Sequence, residues 1–139
     1  LRINIWMNFV INMRLFITCL FSLLLVVGHA QVPEAAIDIA FKNADATSIS
    51  RFFAPNIDIE LNNSLSNYSK TQAEIVLKDF FSKNQVKDYE IIHSGNSGGT
   101  TETYTIGILN TVNGNYRVYM LLKPKDNSYI LKQIRFQKL

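Results

Sequence analysis

The sequence predicts an α+β domain in which N-terminal helices pack on one face of a curved antiparallel sheet, and three observations predict it. Apolar residues recur at three-and-four spacing at Ile37, Ala40, Phe41 and Ala44, and again at Ala73, Val76, Leu77, Phe80 and Phe81; that is the period of a helix face. From Val86 onward, β-branched and aromatic residues run in short stretches broken by Gly, Asn and Asp, as strands joined by hairpins do. The stretch from Thr103 to Lys123 carries such residues on both sides of Asn113-Gly114. Asn-Gly suits a type I′ turn, whose two central residues need positive φ. Helices first and antiparallel strands after make an α+β layer pair.

The first thirty residues read as a leader. Met13-Arg14 precedes an uncharged apolar run from Leu15 to Val27, and Gly28-His29-Ala30 follows before Gln31. A basic start, a short apolar centre and small residues ahead of the cut are the parts of a secretory signal peptide. The run is shorter than the roughly 20 apolar residues a membrane-spanning helix needs. Residues 1–30 are therefore expected to be a signal peptide, with translation starting at Met7 or Met13, and residues 31–139 a single exported domain, periplasmic or extracellular and free of the membrane after cleavage.

Cleavage changes the bulk composition. Arg2 and Arg14 leave the total of 14 Lys and Arg, so the remainder nearly balances 11 Asp and Glu. The sequence pI of about 9.0 is then no nucleic-acid footprint, because no basic stripe with interleaved aromatics remains. Cys19, the only cysteine, leaves as well. The exported domain has no disulfide and must rely on a hydrophobic core or a partner subunit.

Pro33 suits the first turn of a helix whose face is Ile37, Ala40, Phe41 and Ala44, with Asp38 and Lys42 paired outside. Asp45 is a natural N-cap for a second, shorter helix with Ile49, Phe52 and Phe53 as its stripe, closed by Pro55. Asn56 to Leu61 alternates Ile57, Ile59 and Leu61 against Asp58 and Glu60, a strand with one wet face. Turn residues follow, with a short pairing at Leu65 to Tyr68. Ser69 and Gln72 form a capping box for a helix from Lys70 to about Lys83. Val86 to Ser94 is the next strand, Gly95 to Gly99 a flexible loop, and a last strand from Tyr129 to about Phe136 follows the turn at Pro124 to Ser128.

With Asn113 and Gly114 as the two loop residues, Leu109 faces Val118, Gly107 faces Met120, Ile108 faces Tyr119 and Ile106 faces Leu121. Alternation puts these pairs on opposite faces, and both faces are apolar. One face is met by the helices. The other, either Ile106, Ile108, Tyr119 and Leu121 or Leu109, Val118, Met120 and Leu122, needs a second cover.

The run from Asn43 to Ile57 resembles the second-helix segment of the nuclear transport factor 2-like (cystatin-like) superfamily, which also holds ketosteroid isomerase. The stretches Asp79 to Asn84, Tyr104 to Gly107 and Tyr116 to Tyr119, together with His93, resemble an uncharacterised family of short exported bacterial proteins within it. The resemblance implies a cone-shaped fold whose interior often holds a ligand, and pairing of two copies through the sheet. The isomerase machinery is missing, however. Leu61 stands where the carboxylate base would be, with Glu60 on the opposite face. The first helix has no tyrosine, and Asn115 to Lys123 has no acid.

Four residues are the candidates for a ligand-binding site: His93, Tyr104, Tyr119 and Arg117. His93 ends a strand beside a glycine-rich loop and is expected across from Tyr104. One histidine without neighbouring cysteines or carboxylates is too few ligands for a metal. No cofactor motif is present. Lys132, Arg135 and Lys138 read as a solvated edge. The expected function is an exported binding or interaction module, a homodimer through the sheet, with a small apolar ligand as a candidate for the cone. The alternative is an isomerase- or dehydratase-like enzyme using His93 and Tyr104.

Overall fold

The computed structural model describes residues 32–139; the expected signal peptide, its start codon and Cys19 lie outside the described residues. The elements are α1 (Glu34–Lys42), α2 (Ala46–Ser50), β1 (Phe53–Leu61), β2 (Ser64–Ser69), α3 (Lys70–Lys83), β3 (Val86–Asn96), β4 (Thr103–Thr111), β5 (Gly114–Lys125) and β6 (Ser128–Lys138). No described helix is long and apolar enough to cross a membrane.

Each helix forms for a local reason. In α1, Ile37, Ala40 and Phe41 are buried, and Lys42 pairs with Asp38 at 2.8 Å on the outside. The helix stops where Ala44 takes φ 52°. There the Asp45 and Ala44 amides donate to the Ala40 and Phe41 carbonyls, satisfying groups that the helix end would orphan. Asp45 caps α2 by accepting from the Ser48 amide and hydroxyl at 3.0 and 2.6 Å. The Ser48 hydroxyl, then its amide, hold the Asp45 carboxyl below the usual range. The capping box of Ser69 and Gln72 opens α3, which buries Ala73, Leu77, Phe80 and Phe81.

The α+β expectation holds, with a mixed sheet in place of an antiparallel one. Six strands lie in the order β2-β1-β6-β5-β4-β3, and β1 runs parallel to β6. This parallel pair also corrects the expected second helix. The Leu131 amide donates to the Phe52 carbonyl at 2.6 Å, and Phe53 pairs with Leu131, so the chain leaves α2 at Ser50 and enters the sheet early. Pro55 therefore sits within β1, exposed, in the irregular stretch between the pairings of Phe53 and Asp58. A residue without an amide proton fits there.

The 103–123 hairpin pairs in a register two residues away from the expected one. Its loop is Val112-Asn113, and Thr111 pairs with Gly114. Gly114 alone takes a positive φ, at +117°, so this is no type I′ turn. The reason is a tertiary contact. Asn113 Nδ2 donates to the Lys83 carbonyl at 2.7 Å and the Val112 amide to the Gln85 carbonyl at 3.0 Å, docking the tip on the end of α3. The consecutive positive-φ pair is Asn62-Asn63, at 51° and 64°, between β1 and β2. The observed pairs are Leu109 with Tyr116, Gly107 with Val118, Ile108 with Arg117 and Ile106 with Tyr119. A two-residue shift preserves side-chain parity, so each residue keeps its face.

Leu109, Val118, Met120 and Leu122 are fully buried beneath the helices with Ile57, Ile59, Leu131, Ile134 and Phe136. Tyr89 of β3 is 0% exposed and stacks on Phe41 at 4.6 Å. Its ring lies over Gly107, where an added Cβ would collide with the phenol oxygen and the ring carbon bearing it. Burial pushes the Tyr89 phenol up from its ordinary pKa.

This packing makes Gly107 a sensitive position. Gly107→Ala should lower the unfolding free energy in urea by about 1–3 kcal/mol, because the Tyr89 ring must shift in a close-packed core. A second expectation concerns acid. Glu74 accepts from Lys78, Thr47 and Ser50 at 2.6–2.9 Å, tying α2 to α3, and these bonds lower its pKa from 4.5 to about 2. A carboxyl whose folded pKa lies below its unfolded one contributes fully above the unfolded value and loses that contribution as pH falls through the folded one. The thermal midpoint of wild type should therefore fall between pH 4.5 and 2 more steeply than that of Glu74→Gln.

Candidate functional site

The face of the sheet away from the helices carries the candidate residues, and strand register arranges them in rows. In the central row Glu60 pairs with Arg135, Arg135 with Tyr119, Tyr119 with Ile106 and Ile106 with His93. On one side of it, Asp58, Gln133, Leu121 and Tyr104 are aligned in the same way; on the other, Gln137, Arg117 and Ile108. The rows share a polarity. Their β1 and β6 members are polar or charged, whereas β4 and β5 contribute mostly apolar and aromatic groups, with Arg117 as the charged exception.

A bulge puts His93 in this row. Ile91 pairs with Gly107 and His93 with Ile106, so Ile92 is an extra residue in β3. Without it, His93 would share the inner face with Ile91; one inserted residue re-aims the side chains that follow. His93 Nε2 then lies 2.9 Å from the Tyr104 hydroxyl, where the imidazole either accepts the phenol proton or donates its own, according to tautomer. The Tyr104 and Tyr119 rings are nearly parallel, 18° apart with centroids at 6.1 Å. Arg135 continues the line, its guanidinium carbon 5.5 Å from the Tyr119 ring centroid and its Nε 3.2 Å from the Glu60 carboxylate.

The structure thus brings His93, Tyr104 and Tyr119 together. Arg117 lies on the same face, opposite Ile108, and it meets Tyr119 at a cleft of about 340 Å³. Glu60, Asn63, Arg135 and Gln137 complete this cleft with Ile106. These partners are invisible to local sequence reasoning. Taken with its chain neighbours alone, Arg135 reads as part of a solvated edge, and Glu60 belongs to a strand far away in the chain; the parallel β1–β6 pairing joins them, and no local pattern announces it. A second cleft, of about 310 Å³, lies on the helix side against Ile39, Asn43, Arg51 and Phe52.

Neither cleft opens into the cone. The inner space that the resemblance offers to a ligand is taken up by Phe41, Phe80, Phe81, Tyr89, Tyr116 and Phe136, all 0–8% exposed and in ring-to-ring contact. Leu61 is half-buried at the end of β1 and Glu60 points outward to Arg135, as the isomerase comparison implied. Among the described residues, no group of three His, Cys, Asp or Glu side chains is placed to hold a metal, and no carboxylate orients His93. Two inner-face hydroxyls, of Tyr89 and Thr105, are buried without a hydrogen-bond partner among the described residues.

Comparison with known proteins places these features. The family model described as Domain of unknown function (DUF4783) matches residues 34–137. A crystal structure of a DUF4783 family protein from Bacteroides ovatus is 30% identical, with a TM-score of 0.71, covering 76% of this chain and 94% of that one. At 15% identity and a TM-score of 0.60, the structure called "Rd1NTF2_04 with long sheet" covers 74% of this chain and 94% of its own. An uncharacterised protein with a cystatin-like fold from Caulobacter vibrioides, 9% identical with a TM-score of 0.60, covers 76% and 83%. These last two likenesses concern the fold alone. No curated protein matches the chain.

The stacked Arg135 and Tyr119 should be energetically coupled. A double-mutant cycle with Arg135→Gln and Tyr119→Leu, read by urea unfolding, should give a coupling of about 0.5–1 kcal/mol for this exposed cation–π pair.

Proposed function

The chain belongs to the family described as Domain of unknown function (DUF4783), with a nuclear transport factor 2-like, cystatin-like fold, and on that premise we propose that it is an exported, non-enzymatic interaction module whose working surface is the outer face of the sheet. The observation that carries this reading is the contrast between the two faces. The inner one is closed by helices and packed aromatics, while Tyr104, Ile106, Ile108, Tyr119 and Leu121 stay half-exposed with no element over them. A contiguous apolar patch of this kind on a small domain marks an interaction site.

The proposed occupant of the apolar half is a second copy of the chain. A two-fold axis lets one patch cover itself, and an apolar strip on β4 and β5, flanked by charged and polar groups on β1 and β6 and by Glu90 and His93 on β3, would be buried with those groups at the rim. The other reading, an isomerase- or dehydratase-like enzyme, is favoured by the 2.9 Å contact of His93 with Tyr104. It ranks second because the pair lies on an open face, with no carboxylate to orient the imidazole among the described residues.

Native mass spectrometry of the exported protein tests the proposal. The expected result is a dimer of chains that begin at Gln31. Leu121→Lys should convert it to a monomer with a thermal midpoint close to that of wild type, since the substitution touches only half-exposed surface. A wild-type monomer at micromolar concentration, or a Leu121→Lys dimer, would overturn the pairing, and retained residues 1–30 would overturn export with cleavage.

A further inference from the structure

The charged half of the outer face has a chemistry that pairing through the apolar half does not use. Arg117 is exposed and has no carboxylate or hydrogen-bond partner among the described residues. Glu60 approaches Arg135 at Nε, 3.2 Å away, and the terminal guanidinium nitrogens make no hydrogen bond among the described residues. Two guanidinium groups and one carboxylate therefore border the same cleft of about 340 Å³, with one positive charge in excess. Its apolar lining is Ile106 and the Tyr119 ring, and the amide side chains of Asn63 and Gln137 stand at its margin.

We infer that this cleft binds a small organic monocarboxylate with an apolar or aromatic body. The volume is that of a small-molecule site, in which apolar walls take the body of the ligand and a few polar groups orient it. A guanidinium presents parallel N–H donors that match the two oxygens of a carboxylate, so Arg117 and the free end of Arg135 supply the fork. A single negative charge balances the excess. Glu60 disfavours a dianion such as sulfate, and the two arginines disfavour a metal cation. Ile106 and Tyr119 favour a hydrocarbon body over a bare inorganic ion. The inference goes beyond the interaction reading and does not rest on it; the cleft shares Ile106 and Tyr119 with the apolar patch, and Arg117 stands beside them on β5, so both hold together only where pairing leaves the cleft end of the patch open.

Benzoate is the probe, with benzamide as its neutral counterpart and sulfate as an inorganic anion, followed by NMR on the exported protein and on its Leu121→Lys variant. Benzoate should shift the Ile106 methyl and Tyr119 ring resonances saturably in both proteins, and benzamide and sulfate should not. Arg117→Gln should weaken benzoate binding at least about tenfold with an unchanged thermal midpoint, as expected for loss of a charge-assisted hydrogen bond. Arg117→Lys should recover part of the loss, because an ammonium keeps the charge without the fork. Equal shifts with benzamide or sulfate would overturn the inference. So would wild-type affinity in Arg117→Gln, shifts that map to the helix-side cleft, or benzoate binding confined to Leu121→Lys, which would mean that a second copy fills the cleft. A monomeric wild type that still binds benzoate would overturn only the pairing.

Discussion

Tyr89 lies flat between Phe41 of α1 and the bare backbone of Gly107, and the division of the molecule into a closed face and an open one follows from that stack. A side chain at position 107 would hold the ring off the sheet. With the ring down, α1 reaches the strands through Phe41, and Phe81 and Phe136 close around it. Once the interior is filled to this density, nothing the size of a metabolite fits beneath the helices without displacing aromatic side chains, which a close-packed core resists. The half-exposed groups Tyr104, Ile106, Tyr119 and Leu121 lie on the other side of the sheet.

That other side is organised by pairing. Because cross-strand neighbours stand side by side, the parallel contact of β1 with β6 brings Glu60 to Arg135, and the β5–β6 register brings Arg135 to Tyr119. The bulge at Ile92 adds His93 at the far end. Charged and polar groups collect on β1 and β6 and hydrocarbon on β4 and β5, while Glu90 and His93 bring polar groups back at the β3 edge. Such a surface has an apolar strip suited to the proposed pairing and, bordering it, a charged cleft suited to the proposed anion.

Local chemistry is legible in the chain itself. The three-and-four spacing in Ala73 to Phe81, the capping box of Ser69 with Gln72 and the Asp45 cap all appear where the sequence puts them. These features depend on residues within one or two turns of each other. The hairpin at Asn113-Gly114 shows the limit of such reasoning. A good type I′ pair is present, yet Asn113 bonds instead to the Lys83 carbonyl across the molecule, and the turn moves with it. The second helix departs from its periodicity for a similar reason: Phe52 and Phe53 have helical spacing from Ile49, but pairing with Leu131 draws them toward the sheet.

Propensity, periodicity and alternation act over a few residues, and they are enough to set the class of the fold, the helices with their caps, the strands, and the apolar character of both faces of the 103–123 hairpin. They do not say that Ile106, Ile108, Tyr119 and Leu121 face outward, or that Arg135 and Glu60 join Arg117 at one cleft. Those outcomes depend on register between strands distant in the chain. Register is set by packing of the whole sheet, with its bulges and its one parallel pair, and no short stretch of residues encodes it.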